Sequence, residues 1–155
     1  MEQRTLPYNV FTYQQRMMAV LLGWAAGSIT LGLLWWRGGS EWLRGLGSQF
    51  VGWGIIDGLI ALGGLRGANR NAALFAAGEM DEATHAIHAQ RFELILWINT
   101  GLDVLYMAFG AWLVRHFRTH DERRGMGLGI ITQGAFLFVF DGVNALLLHR
   151  SYDAD

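Results

Sequence analysis

The chain has 155 residues, of which 52% are hydrophobic and 16% charged, against about 25% charged in an ordinary soluble domain. The length holds one domain, and a composition with one Pro and no Cys excludes collagen-like, disordered and disulfide-stapled classes. A net charge of −1 excludes the basic surface that a nucleic-acid partner requires.

All twelve basic residues are Arg, and their positions divide the chain. Between them lie four Arg-free apolar stretches, 17–36, 46–65, 92–114 and 125–148. Each reaches the about 20 residues a helix needs to cross the hydrocarbon core of a bilayer. Arg16 and Arg37, Arg44 and Arg66, Arg91 and Arg115, and Arg124 and Arg150 flank them as interfacial anchors do. A soluble four-helix bundle would need a polar face on each helix, and these stretches are apolar nearly all round.

The first stretch exceeds the about 7–15 apolar residues of a secretory signal, so it reads as an uncleaved span. It carries Ser28 and Thr30 beside Gly23 and Gly27. The second carries Gln49, Trp53 and Asp57 over two turns. In the connection that follows, 67–70 reads as a turn. Residues 71–77 read as a short amphipathic helix, with Leu74 and Phe75 toward lipid. Gly78 breaks it, and Asp81 is a good N-cap followed by Glu82 at the dipole-favoured first turn. The third helix is therefore expected to begin near Asp81 and to rise above the membrane before entering it. Along it, Asn99, Asp103, Tyr106 and Gly110 form one stripe. The fourth stretch carries Gln133, Asp141 and Asn144 on one general face. The expected fold is an all-α integral membrane four-helix bundle, a single membrane domain over 1–155, built from two hairpins.

The second and fourth stretches align as an internal repeat. Gln49 falls on Gln133, Asp57 on Asp141, Gly58 on Gly142, Ala61 on Ala145, Leu62 on Leu146 and Arg66 on Arg150. Two hairpins repeated in this sense would be related by an axis along the membrane normal. Arg4, Arg16, Arg66, Arg70, Arg91 and Arg150 fall on one side of the bilayer and the other six Arg on the opposite side, so the positive-inside rule assigns no orientation.

The intramembrane acids carry most of the functional signal. At 1.5 Å per residue, Asp57 lies roughly 12 Å before Leu65, Asp141 roughly 10 Å before Leu148 and Asp103 roughly 16 Å after Phe92. All three are measured from one side of the bilayer, so they share a depth at which no Arg, Lys or His stands. An ionised Asp at a helix centre costs about 3 kcal/mol on the insertion scale, so the surroundings decide its state. The candidate ligand or proton site is Asp57, Asp103 and Asp141 with Gln49, Asn99, Gln133, Asn144 and Tyr106, all turned to the bundle axis because lipid cannot satisfy them. The competing reading is that Gln49, Asn99 and Gln133 hydrogen-bond the acids and lock the bundle. Trp24, Trp53 and Trp97 lie deep, where they either face lipid or line a cavity for an organic cation. His116 and His120 have i,i+4 spacing; an interfacial surface position is the plainer reading for them and for His85, His88 and His149. No pattern names a cofactor or a metal, and no catalytic set is legible.

The run Trp97-Ile98-Asn99-Thr100-Gly101-Leu102-Asp103-Val104-Leu105-Tyr106 followed by Gly110-Ala111-Trp112-Leu113, and the run from Gly127 through Gln133-Gly134-Ala135-Phe136-Leu137 to Phe140-Asp141, resemble a bacterial family of small four-span membrane proteins, a domain of unknown function. Gln49 to Asp57, with Gly52-Trp53-Gly54, resembles its second-helix motif. The resemblance covers about residues 45–145. It implies a multi-pass protein of a bacterial cytoplasmic membrane and assigns no activity. Three readings stay open: a protein that binds or transports a proton, cation or small solute, an accessory subunit packed against a larger membrane complex, and, with the least support, a membrane enzyme acting on lipid. The expected partners are the bilayer and either further copies of the chain or such a complex, with no nucleic acid.

Overall fold

A computed structural model describes residues 9–151, so Arg4 lies outside the described residues. Four helices follow one another: α1 (Val10–Gly38), α2 (Glu41–Ala76), α3 (Glu82–His116) and α4 (Asp121–Arg150). Each is long and apolar enough to cross a membrane. Much of the outer surface is Leu, Ile, Val and Phe, with Leu59 and Leu34 about two-thirds exposed. Apolar surface of that extent suits a bilayer rather than water.

Local chemistry sets the helix ends. The Asn9 side chain accepts from the Phe11 N–H, and Ser40 accepts from the Leu43 N–H to start α2 two residues after α1 stops. Asp81 accepts from the Thr84 N–H at 2.8 Å and starts α3, as expected. Gly78 takes φ +72°, a left-handed turn that glycine adopts at no steric cost, and it lets the chain reverse after α2.

One expectation fails between the second and third spans. Residues 67–70 are not a turn; α2 runs unbroken through them. The amphipathic segment 71–77 is consequently its last turns and their cap rather than a separate helix. An exposed Gly67 weakens a helix by only about 1 kcal/mol. Ala68, fully buried in the same turn, anchors the continuation. At 36 and 35 residues, α2 and α3 are about 54 and 52 Å long, well beyond a hydrocarbon core of about 30 Å. Their overhanging ends, the start of α1 and the end of α4 form a second small core of Val10, Phe11, Ala89 and Leu148, flanked by Phe75 and Met80. His85 is buried there rather than at the surface. Its Nε2 accepts from the Val10 N–H at 3.1 Å, and its ring stacks on Phe75.

Glycines bring the helices together. A side chain on Gly32 would strike the Gly47 carbonyl and the Val51 nitrogen; one on Gly47 would strike the Gly32 carbonyl and the Trp36 nitrogen. Gly54 abuts the Ala25 carbonyl and Ile29. The α3–α4 pair uses the same three contacts: Gly110 on Gly127 and Ile131, Gly127 on Gly110 and Val114, Gly134 on the Asp103 carbonyl and Met107. The two hairpins then cross through α2 and α4, where Gly45 meets the Glu122 carbonyl and Gly125 meets the Trp42 carbonyl. Gly125 and Gly129 thus lie in a helix contact, as do Gly54 and Gly58, whereas Gly23 and Gly27 face open space.

This arrangement leaves two long seams. Along one, α1 faces α4; along the other, α2 faces α3.

Candidate functional site

The α1–α4 seam is closed by side chains. Trp24 Nε1–H donates to Gln133 Oε1 at 2.8 Å, and Gln133 Nε2–H donates to Ser28 Oγ at 3.2 Å. Trp24 also stacks on Phe136 with ring centroids 3.7 Å apart. One level along, the Tyr13 hydroxyl donates to Asn144 Oδ1 at 2.6 Å, and Asn144 Nδ2–H donates to the Phe140 carbonyl.

The α2–α3 seam is different. Its helices, like α1 and α4, make no extended backbone contact, but here a cavity of about 300 Å³ lies between them, backed by α4 and the first half of α1. Asp57, Asp103 and Asp141 all line it, with exposures of 2%, 2% and 7%. They are close enough for Asp103 to feel the charge of Asp57, and for Asp141 to feel both. Asn99 lines the cavity beside the Asp141 carboxyl. Asp57 Oδ2 and Asp103 Oδ2 are buried and have no partner. Tyr106 also lines the cavity, its ring edge-on to Trp53 at 4.9 Å. Phe92 and Phe140 complete the aromatic wall.

The structure therefore brings together five of the eight residues singled out from the sequence: Asp57, Asp103, Asp141, Asn99 and Tyr106. It does not bring in the other three. Gln133 is fully buried but spends its amide on Trp24 and Ser28, on the far side of α4. Asn144 is committed to Tyr13 and Phe140. Gln49 lies against Gly129 at the α2–α4 crossing and does not line the cavity. The amides expected to hold the acids are thus used elsewhere, except Asn99.

Among the lining residues that escaped the sequence reading of the site are Gln14 and Met18 on α1, and Ile56 and Ile60 on α2. Ile60 could have been found, because it stands one turn beyond Asp57 on the same face. Nothing in the sequence places the start of α1 beside α2 and α3. Of the deep tryptophans, Trp53 faces the cavity and Trp24 faces α4, so neither points simply into lipid; Trp97 is substantially exposed and donates to Glu93 at 3.4 Å.

The chemistry of the lining bounds what it can hold. A charged carboxylate in apolar surroundings needs a counter-ion, and a neutral one still needs a partner for its proton. Among the described residues, no Arg, Lys or His lines the cavity. Among the described residues, no three His, Asp or Glu side chains are spaced to hold one metal ion.

A family of unknown function, DUF6992, matches residues 20–142, most of the chain and all three acids. The chain belongs to that family. No curated protein and no solved structure matches it. The family match thus reaches into all four helices, spans the glycine crossings and takes in every cavity residue except Gln14 and Met18, and it brings no activity with it.

Proposed function

We propose that this is a multi-pass protein of a bacterial cytoplasmic membrane that holds a proton or a cation at the carboxylates between α2 and α3. The observation that carries the reading is the pair of buried, unpartnered oxygens, Asp57 Oδ2 and Asp103 Oδ2, in one cavity. A bundle that used its acids only as interhelical glue would spend them on Gln49 and Gln133, and both of those amides lie elsewhere. Leaving a buried polar atom unsatisfied costs about 1–3 kcal/mol, which a scaffold has no reason to bear twice at one depth.

Infrared spectroscopy of the carboxyl stretch tests this. In the wild type the band changes with pH or with added cation, and Asp103→Asn removes that change while leaving the helices intact. A carboxyl band indifferent to both overturns the proposal. Site-directed labelling tests the membrane part: labels at Asn69 and Ser151 react from one side, and labels at Gly39 and His120 from the other.

We further propose that the hairpins are duplicates. The recurring glycine contacts support a register that pairs Gly32 with Gly110, Gly47 with Gly127 and Gly54 with Gly134. That register lies one helical turn from the alignment of Asp57 on Asp141. It places Ala25 opposite Asp103 and Leu137 opposite Asp57, so only one of the two seams carries acids.

A second reading, an accessory subunit of a larger complex, is favoured by Gly23 and Gly27 on α1, beside which nothing lies within 4 Å. Purification in a mild detergent followed by mass spectrometry separates the readings, because a subunit retains stoichiometric partners.

A further inference from the structure

We infer that the ligand of this cavity is an amphiphilic ammonium ion, a protonated amine on an apolar body, which reaches the acids sideways from the bilayer between α2 and α3. The inference deepens the cation reading above and rests on it. Three independent features select this chemistry. The acids supply negative charge and two unused acceptor oxygens, which an N–H-bearing cation satisfies and an aprotic one does not. Among the described residues the three carboxylates do not converge as a set on one metal position, an arrangement that favours a monovalent organic cation over an inorganic divalent one. The remaining walls are apolar and aromatic, with Trp53 and Tyr106 beside the acids, surfaces that suit a hydrocarbon chain and the face of a cation.

The size agrees. A volume of about 300 Å³ has room for roughly ten non-hydrogen atoms at about 30 Å³ each. A bare monovalent ion would leave most of it empty. The route follows from the seam. Ile56, Ile60 and Ile95 line the cavity and are each about half exposed, which puts apolar surface on both lips of the opening. A polar solute gains nothing from such a mouth, whereas a molecule already dissolved in the bilayer passes from one apolar surface to another. The other seam offers no second route, because Trp24, Gln133, Ser28 and Phe136 fill it.

The test uses the full chain in phosphatidylcholine nanodiscs, with empty discs to subtract partitioning. Octylammonium binds saturably and octanol does not, because only the charged head reaches the acids. Asp57→Asn and Asp103→Asn each weaken octylammonium binding by about thirtyfold or more, the loss typical of removing one partner of a buried charge pair. Asp121→Asn, at an exposed pair with Arg124, leaves it unchanged. Adding phosphatidylethanolamine to the discs tells the source of the amine: competition identifies a lipid headgroup, and no competition a free amphiphile. The route is tested by bridging Ile56→Cys and Leu102→Cys with a reducible bifunctional reagent in this cysteine-free chain, which slows association until the bridge is reduced. Equal binding of octanol by the wild type overturns the inference without recourse to any variant, as does octylammonium binding indifferent to both Asp substitutions. If octylammonium fails to bind while the infrared band still responds to protons or Na⁺, this inference falls and the broader cation reading stands. If neither responds, both fall.

Discussion

The two seams of the bundle occupy matching places and are built to opposite ends. Gln133 and Trp53 each stand immediately before the glycine of a matching contact, Gly134 and Gly54; Ser28 and Tyr106 each stand immediately before the residue that glycine meets, Ile29 and Met107. On the α1–α4 side this position holds a buried Gln-to-Ser hydrogen bond with a Trp donating into it. On the α2–α3 side it holds only an edge-on contact between two aromatic rings, and three acids lie below it. The lesson is that polar residues inside a membrane bundle do two kinds of work. Where every donor and acceptor is used, they close a seam; where carboxylates are left unused, they mark the site proposed above.

The largest expected effect comes from the crossing on which both seams depend. Gly125→Ala drives a methyl group into the Trp42 carbonyl, backbone that cannot step aside. We expect a loss of about 1–3 kcal/mol or more in folded-state stability, seen as a lower melting temperature in detergent. Gly52→Ala, which meets nothing within 4 Å, is the control and stays silent.

Next, the seams should respond with opposite sign to loss of a polar group. Gln133→Leu leaves the Trp24 N–H without its acceptor and costs about 1–3 kcal/mol. Asp103→Leu removes an oxygen that has no partner, so stability holds or rises while the cation site is lost. Thermal melts of the two variants side by side test the contrast, and equal destabilisation would break it.

A transplant sharpens it further. Placing the closed seam's residues in the open one, as Leu102→Trp, Trp53→Gln and Tyr106→Ser together, should fill the gap and lower octylammonium binding by about tenfold, roughly 1.4 kcal/mol. Unchanged binding would mean that the acids alone, and not the opening, control access.

The smallest effect concerns a helix end common to neither seam. The Thr84 hydroxyl and then its backbone N–H, both donating to Asp81, hold that carboxyl below the usual carboxylate range. A lowered value stabilises the cap at pH above the ordinary Asp range, and the contribution disappears as pH falls through the lowered value. Asp81→Ala should therefore speed amide exchange in the first turn of α3 at neutral pH and leave it unchanged in strong acid.

Much of the candidate site was readable in advance, for specific reasons. Asp57, Asp103 and Asp141 were placed at one depth by helical rise alone, and the stripe through Asn99, Asp103 and Tyr106 by helical periodicity. Gln49 and Gln133 were misassigned because each sits on the right helix but turns toward a different neighbour. The turn expected at 67–70 failed because one glycine is a weak stop signal, easily outweighed by burial of Ala68.

By itself, the sequence determined the number and apolarity of the helices, the cap at Asp81, and the position of each acid along its helix. Those properties depend on residues near in the chain and on a fixed rise per residue. Only the tertiary structure decided which way each polar side chain faces and which seam stays open. Those depend on how the glycines let one backbone rest on another. Rotation about a helix axis is set by contacts with residues dozens of positions away: Gly45 on Glu122, Gly54 on Ala25, Gly134 on Asp103.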